Sequence, residues 1–160
     1  FKVEPIKWKI LEDKGGKVFV FSELILDAHR FDDSSNDYSI SSIRSWLNDE
    51  FYNITFTDKQ KVIIESSTLD DVSNVTDKVF LLSIEEITKE SYGFLNNYYE
   101  IDEERCKEMT DYAKIKVSKE KLYWLRTPSS YHGYAVYGRV YFCSVDNENC
   151  GVAPALVLNK

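Results

Sequence analysis

Four short apolar runs joined by turns, "LYWLRT", "YAVY", "RVYFCSV" and "GVAPALVL", crowd into residues 122–158. They read as four strands. Two more open the chain in "IKWKILEDKGGKVFVFSE", where Lys14-Gly15-Gly16 supplies the positive φ of a hairpin turn and Val18, Val20 and Ile25 suit a pleated face. Helical patterns occur only between these ends. Strands segregated from helices in this way give an α+β domain with small antiparallel sheets and helices in the middle of the chain. A doubly wound parallel sheet needs regular alternation, which is absent. The first hairpin should pack beside the C-terminal strands, because Trp8 and Ile10 have no other large apolar partner late in the chain.

The middle is more varied. "SSIRSWLNDEFYN" sets Ile43, Trp46, Leu47 and Phe51 on one helical face, with Trp46 a core residue. Thr57 and Gln60 are spaced as a capping box, as are Ser83 and Glu86, and Gly93 suits a C-cap. "KVFLLS" fits a buried strand. "DEERCKEMTDYAKIK" is the longest helix candidate, with Cys106, Met109 and Ala113 inward, acidic residues in its first turn and lysines in its last.

The 160 residues suit one domain spanning 1–160, with enough chain to bury a core without staples. A net charge of -7, with scattered Lys and Arg, opposes a sequence-independent grip on nucleic acid and on anionic membranes. No apolar run approaches the roughly 20 residues that span a bilayer. The chain begins inside a strand-like segment with no visible signal peptide, as a piece of a larger protein would. A monomer is expected.

"IRSWLNDEFYN", "DKVFLLSIEEI", "YWLRTP" and "GVAPALVL", in this order, resemble an uncharacterised domain family of surface and secreted proteins of Gram-positive, often gut-dwelling, bacteria. Its last two motifs usually read WWLRSPG and GVRPAL. Here Ala153 replaces the arginine of the second, and Ser129 the glycine of the first. The tail layout is similar to C-type-lectin-like folds, especially the variant of formylglycine-generating enzymes and of phage and bacterial variable proteins. The resemblance implies a C-type-lectin-like fold, an extracellular or cell-surface setting, and a small C-terminal sheet that displays a ligand-facing surface.

The residues themselves point to the same place. Within 127–150, Tyr131, His132, Tyr134, Tyr137, Asp146, Asn147 and Asn149 combine large contact area with adaptable hydrogen bonding. They suit a non-catalytic binding surface for a glycan or a protein, and Tyr131, His132, Tyr134, Tyr137, Asp146 and Asn147 should then be exposed on one face. Two other classes compete: a structural spacer or capping module without ligand, and a copper or thiol oxidase, which the resemblance to formylglycine-generating enzymes implies through their C-terminal cysteine pair. Cys143 and Cys150 flank "SVDNEN". On a hairpin with a four-residue loop they would face each other and could close a disulfide; the alternative is two free thiols.

Other chemistries have weak signals. His29 and His132 are far apart and no C-x-x-C occurs, so neither a metal site nor a cofactor is expected. The acidic "FDDSSND" stretch could hold calcium, with a solvated loop as the ordinary alternative. No nucleophile elbow is present, and Glu85 and Glu86 point apart on a helix. Arg126, in an apolar setting, should pair with a carboxylate or with backbone carbonyls.

Overall fold

The computed structural model describes residues 5–72 and 74–160. The chain runs β1 (Trp8–Lys14), β2 (Lys17–Ser22), β3 (Asp27–Ala28), α1 (Ser42–Trp46), α2 (Tyr52–Thr55), α3 (Asp58–Ile63), β4 (Ser67–Thr68), β5 (Thr76–Asp77), α4 (Ile84–Ile87), β6 (Tyr123–Pro128), β7 (Gly133–Tyr137), β8 (Arg139–Cys143), β9 (Gly151–Val152) and β10 (Ala155–Asn159). The class is α+β. Gly15 and Gly16, at φ 62° and 77°, make the β1–β2 turn. β2 lies between β1 and β10 in an antiparallel three-stranded sheet, so the first hairpin packs beside the last strand. A bulge between Ile10 and Glu12 turns Leu11 into the core and leaves Ile10 62% exposed. This corrects Ile10 as a core residue: one extra residue reverses which side chain faces inward.

The second sheet has the order β3-β9-β6-β7-β8. Its pairs are antiparallel except β6–β9, which meet in parallel at Tyr123 and Gly151. A third, two-stranded sheet joins β4 and β5. The expected strand around residues 79–82 is instead a buried connector between the two larger sheets. Phe80 exchanges backbone hydrogen bonds of 3.0 and 2.7 Å with Ala155 of β10, and Leu82 O accepts from Arg126 N of β6 at 3.0 Å. Pairing of single residues on each side is too little to build a ladder.

Ile43, Leu47 and Phe51 are buried as the helical spacing requires, on a run in which a π-helical turn, Leu47–Phe51, joins α1 to α2. Trp46 is only half-buried, stacked 4.8 Å from the His29 ring, and so belongs to the margin of the core. Both capping boxes form, Thr57 with Gln60 and Ser83 with Glu86. Gly93 caps the turn before it at φ 87°.

The long helix expected over residues 102–116 does not form; only short 3-10 turns at Glu103–Arg105 and Ala113–Ile115 do. The backbone pairs elsewhere: Glu108 O accepts from Ile25 N at 2.9 Å and Thr110 N donates to Ile25 O at 3.0 Å. Two side chains that a helix would have solvated are buried. Arg105 donates to the carbonyls of Ile87, Leu95, Asn97, Glu100 and Gly138. Lys107 donates to Ser22 O at 2.5 Å, and its ammonium sits 3.8 Å from the Phe21 ring centroid. Tertiary contacts override helix propensity here. Cys106 and Met109 are half-buried, while Ala113 is fully inside.

Candidate functional site

β7 and β8 form a hairpin at one edge of the larger sheet, and its register decides which side chains can act together. Tyr134 faces Phe142 and Val136 faces Val140 on one side, while Ala135 faces Tyr141 and Tyr137 faces Arg139 on the other. Tyr134 and Tyr137 therefore point to opposite faces, because an odd separation along a strand reverses direction. This corrects the expectation of one shared face. Tyr137 turns toward Cys106, where it opposes the burial that raises the thiol's pKa.

On the Tyr134 side the rings accumulate. Phe142 is 69% exposed, 5.2 Å from Tyr134 and 6.2 Å from His132, centroid to centroid. The loop before Glu103 carries Tyr98 and Tyr99, their rings tilted by 38° with centroids 4.2 Å apart and hydroxyls 2.9 Å apart. Val140 N donates to Tyr98 O at 2.9 Å, which fixes this loop to β8. The hydrogen bond to Tyr99 holds the Tyr98 hydroxyl above its ordinary pKa, and the nearby Tyr134 hydroxyl adds to that shift. Tyr99 is 71% exposed, and Tyr131, in the turn before β7, 87%. That turn is closed locally, Ser129 Oγ donating to His132 O at 2.6 Å and accepting from His132 N at 2.9 Å. Asn36 Nδ2 reaches the carbonyls of Ser129 and His132 and ties in the 31–37 loop.

Of the seven residues singled out in the sequence, Tyr131, His132 and Tyr134 belong to this end of the hairpin. Asp146, Asn147 and Asn149 shape the loop after β8 instead. Asp146 accepts from Ser144 Oγ at 2.5 Å, and Asn147 Oδ1 from Asn149 N at 2.9 Å, while Asn149 Nδ2 donates to Lys116 O at 2.9 Å. Asp146 is exposed, Asn147 half-buried and Asn149 exposed. Sequence reading missed Tyr98, Tyr99 and Phe142. The tyrosine doublet in polar "NNYYE" was the available signal; Phe142 carried none, since strand alternation fits either face.

In the acidic 31–37 loop, Asp32 and Asp37 turn their carboxylates to nearby backbone N–H groups and Asp33 pairs with Arg30. Asp32 accepts from the N–H groups of Ser34, Ser35 and Ser42 at 3.0 Å each. Burial works against its charged form, yet these bonds hold its pKa below the ordinary value. Asp37 accepts from Ser39 N at 2.9 Å. Among the described residues no three His, Cys, Asp or Glu side chains converge as a metal site.

Two concavities lie elsewhere. A cleft of about 470 Å³ is lined by Phe19, Phe80, Tyr92, Asp71, Glu86 and Arg126. Arg126 pairs there with Asp71 at 2.6 Å, Glu86 at 2.7 Å and Leu81 O at 2.6 Å, the carboxylate and carbonyl partners its sequence setting required. Its strongest donors are thus already engaged. An apolar groove of about 560 Å³ is lined by Leu26, Trp46, Phe51, Ile54 and Tyr112.

A family model described as "Domain of unknown function (DUF6273)" matches residues 15–160, and the chain belongs to this family. No curated protein and no solved structure matches the chain.

Proposed function

We propose that this member of the DUF6273 family is a non-catalytic binding module of a bacterial surface or secreted protein, and that it holds a glycan against the aromatic shelf of the β7–β8 hairpin. One observation carries the reading: three rings, His132, Tyr134 and Phe142, gather on one side of an edge hairpin, and the loop bound to β8 at Val140 brings the Tyr98 hydroxyl near enough to Tyr134 to feel it. A core has no use for Phe142 left in water, and a solvated turn has no use for this density of rings. Sugar rings present C–H faces that stack on aromatic side chains, while their hydroxyls need partners. The Tyr98 and Tyr99 hydroxyls are in position to supply them. The scaffold is the paired strand behind the loops, a usual arrangement for recognition.

The test is capture on an array of immobilised oligosaccharides, followed by titration calorimetry with any hit. Phe142→Ala combined with Tyr99→Ala should weaken binding at least tenfold and leave the melting temperature within about 2 °C. No capture of any glycan, or a double variant that binds as well as the parent, rejects the reading.

A further inference from the structure

Cys143 and Cys150 come together by a route that the sequence does not suggest. A hairpin across "SVDNEN" does not exist: β7 and β6 both lie between β8 and β9 in the sheet. Cys143 ends β8 opposite Gly133, and Cys150 directly precedes β9. The intervening loop nevertheless returns, with His29 N donating to Cys150 O at 3.1 Å two residues before the Phe31 anchor of Val145, and brings the two free thiols close enough to shift each other's protonation. The loop is well anchored. Val145 O accepts from Phe31 N at 2.8 Å and from Asp32 N at 3.1 Å, Glu148 pairs with Arg30, and Asn149 O accepts from Ser118 N at 3.0 Å.

The two sulfurs differ. Cys150 is 1% exposed and lies 3.6 Å from Leu122 O. Cys143 keeps 8% of its surface and accepts from Asn147 Nδ2 at 3.3 Å. The neighbouring Cys150 thiol, with the Asn147 amide as a donor, pulls Cys143 down to about 7, whereas burial pushes Cys150 well above the ordinary thiol value. A thiolate held by an amide donor near a protonated second thiol is the arrangement that attacks an oxidant and is then resolved. Cys106 has no such setting: burial raises its pKa, and its thiol donates to Asp102 O at 3.9 Å.

We infer that Cys143 and Cys150 form an oxidation-responsive clasp, in which Cys143 is the reacting thiolate, Cys150 the resolving thiol, and the product a disulfide that closes the 144–149 loop. With a hydroperoxide as oxidant, Cys143 Sγ attacks the O–O bond. The S–O bond forms, the O–O bond breaks, and the leaving oxygen takes a proton as alcohol or water. Cys150 Sγ then attacks Cys143 Sγ; the S–S bond forms, and hydroxide leaves with the Cys150 proton as water. Two thiols lose two electrons and the peroxide gains them. Because the short segment at His29 and Phe31 anchors both ends of the loop, only a modest approach of the sulfurs is needed. Closing so short a loop should raise the melting temperature by about 5–10 °C.

The experiment treats the reduced chain with one equivalent of hydrogen peroxide at pH 7.4. Intact mass should fall by about 2 Da, peptide mapping should join Cys143 to Cys150 with Cys106 unmodified, and the melting temperature should rise. In Cys150→Ser a dimedone adduct should accumulate on Cys143, and in Cys143→Ser neither adduct nor disulfide should form at Cys150. Alkylation of Cys143 by iodoacetamide in the unmutated chain should reach half its maximal rate near pH 7, which needs no variant to fold. Cys106 oxidised first, a disulfide that fails to form, or a Cys143 alkylation midpoint above pH 8 overturns the inference.

Discussion

The six-membered ring of Trp124 lies against Gly133, so that a β carbon at 133 would stand 2.5 Å from Cζ3. Trp124 is fully buried and donates from its indole to His29 O at 2.7 Å, so it cannot swing away. The glycine is required by close approach between paired strands. Gly133→Ala should therefore cost about 1–3 kcal/mol, the range for overpacking a closed core. Urea unfolding monitored by tryptophan fluorescence measures it; a loss below 0.5 kcal/mol would mean that β6 and β7 separate easily.

Arg126 joins β6 to Asp71 in the loop between β4 and β5 and to Glu86 of α4. Arg126→Met removes the cation shared by two partly solvated carboxylates and should cost about 3 kcal/mol, the low end for removal of one partner of a buried ion pair. Asp71→Asn should cost less than half as much, because the Asp71 side chain is partly solvated and Glu86 still pairs the guanidinium. Chemical denaturation of the two variants gives the ratio.

Lys107 gives a pH signature. Burial pushes its pKa from 10.5 down to about 7, with Lys9 also repelling the charge and Glu23 and Glu104 opposing the shift. Below about pH 7 the folded chain must hold a buried ammonium, and the destabilisation is complete. From about 7 toward 10.5 the folded chain carries the neutral amine while the unfolded chain still binds the proton, so this group's contribution to stability rises with pH. Lys107→Met should accordingly be more stable than the parent by about 1–2 kcal/mol at pH 6, with the advantage shrinking by pH 9.5. Paired urea titrations at both pH values test the sign; an advantage that grows with pH contradicts it.

Tyr131 and Tyr137 should separate in their effects. Tyr131→Ala removes a solvated ring and should change stability by less than about 0.5 kcal/mol. Tyr137→Ala removes a half-buried ring beside Cys106 and should cost about 1–2 kcal/mol. Melting curves of the two single variants suffice; equal effects would mean that both rings are solvated or both are packed.

Elements with local causes were readable in the sequence. Thr57 with Gln60 and Ser83 with Glu86 form their boxes because every atom involved lies within four residues. Ile43, Leu47 and Phe51 are inward because one helical face is buried. Elements whose cause lies far along the chain were not readable. Residues 102–116 have good helix propensity and matched end charges, yet Ile25 takes the backbone at 108 and 110, and Arg105 and Lys107 spend their charges on distant carbonyls. The candidate site divides along the same line. Tyr131, His132 and Tyr134 were visible as a local cluster, whereas Tyr98 comes near Tyr134 only through a loop fixed at Val140.

Arg105 holds that loop by its carbonyls, taking Leu95, Asn97 and Glu100 together with Ile87 and Gly138 on its flanks. Every residue type carries a carbonyl, so, apart from the Asp102 carboxylate 3.5 Å from Arg105 Nε, the guanidinium's grip does not depend on which side chains the loop displays. Lysine could not replace it, because a single ammonium lacks the planar fork that spans so many acceptors. The outward positions at 98 and 99 can therefore be exchanged while the backbone keeps its path, which makes this segment a natural graft point: new side chains can be installed beside β8 without redesigning the domain that carries them.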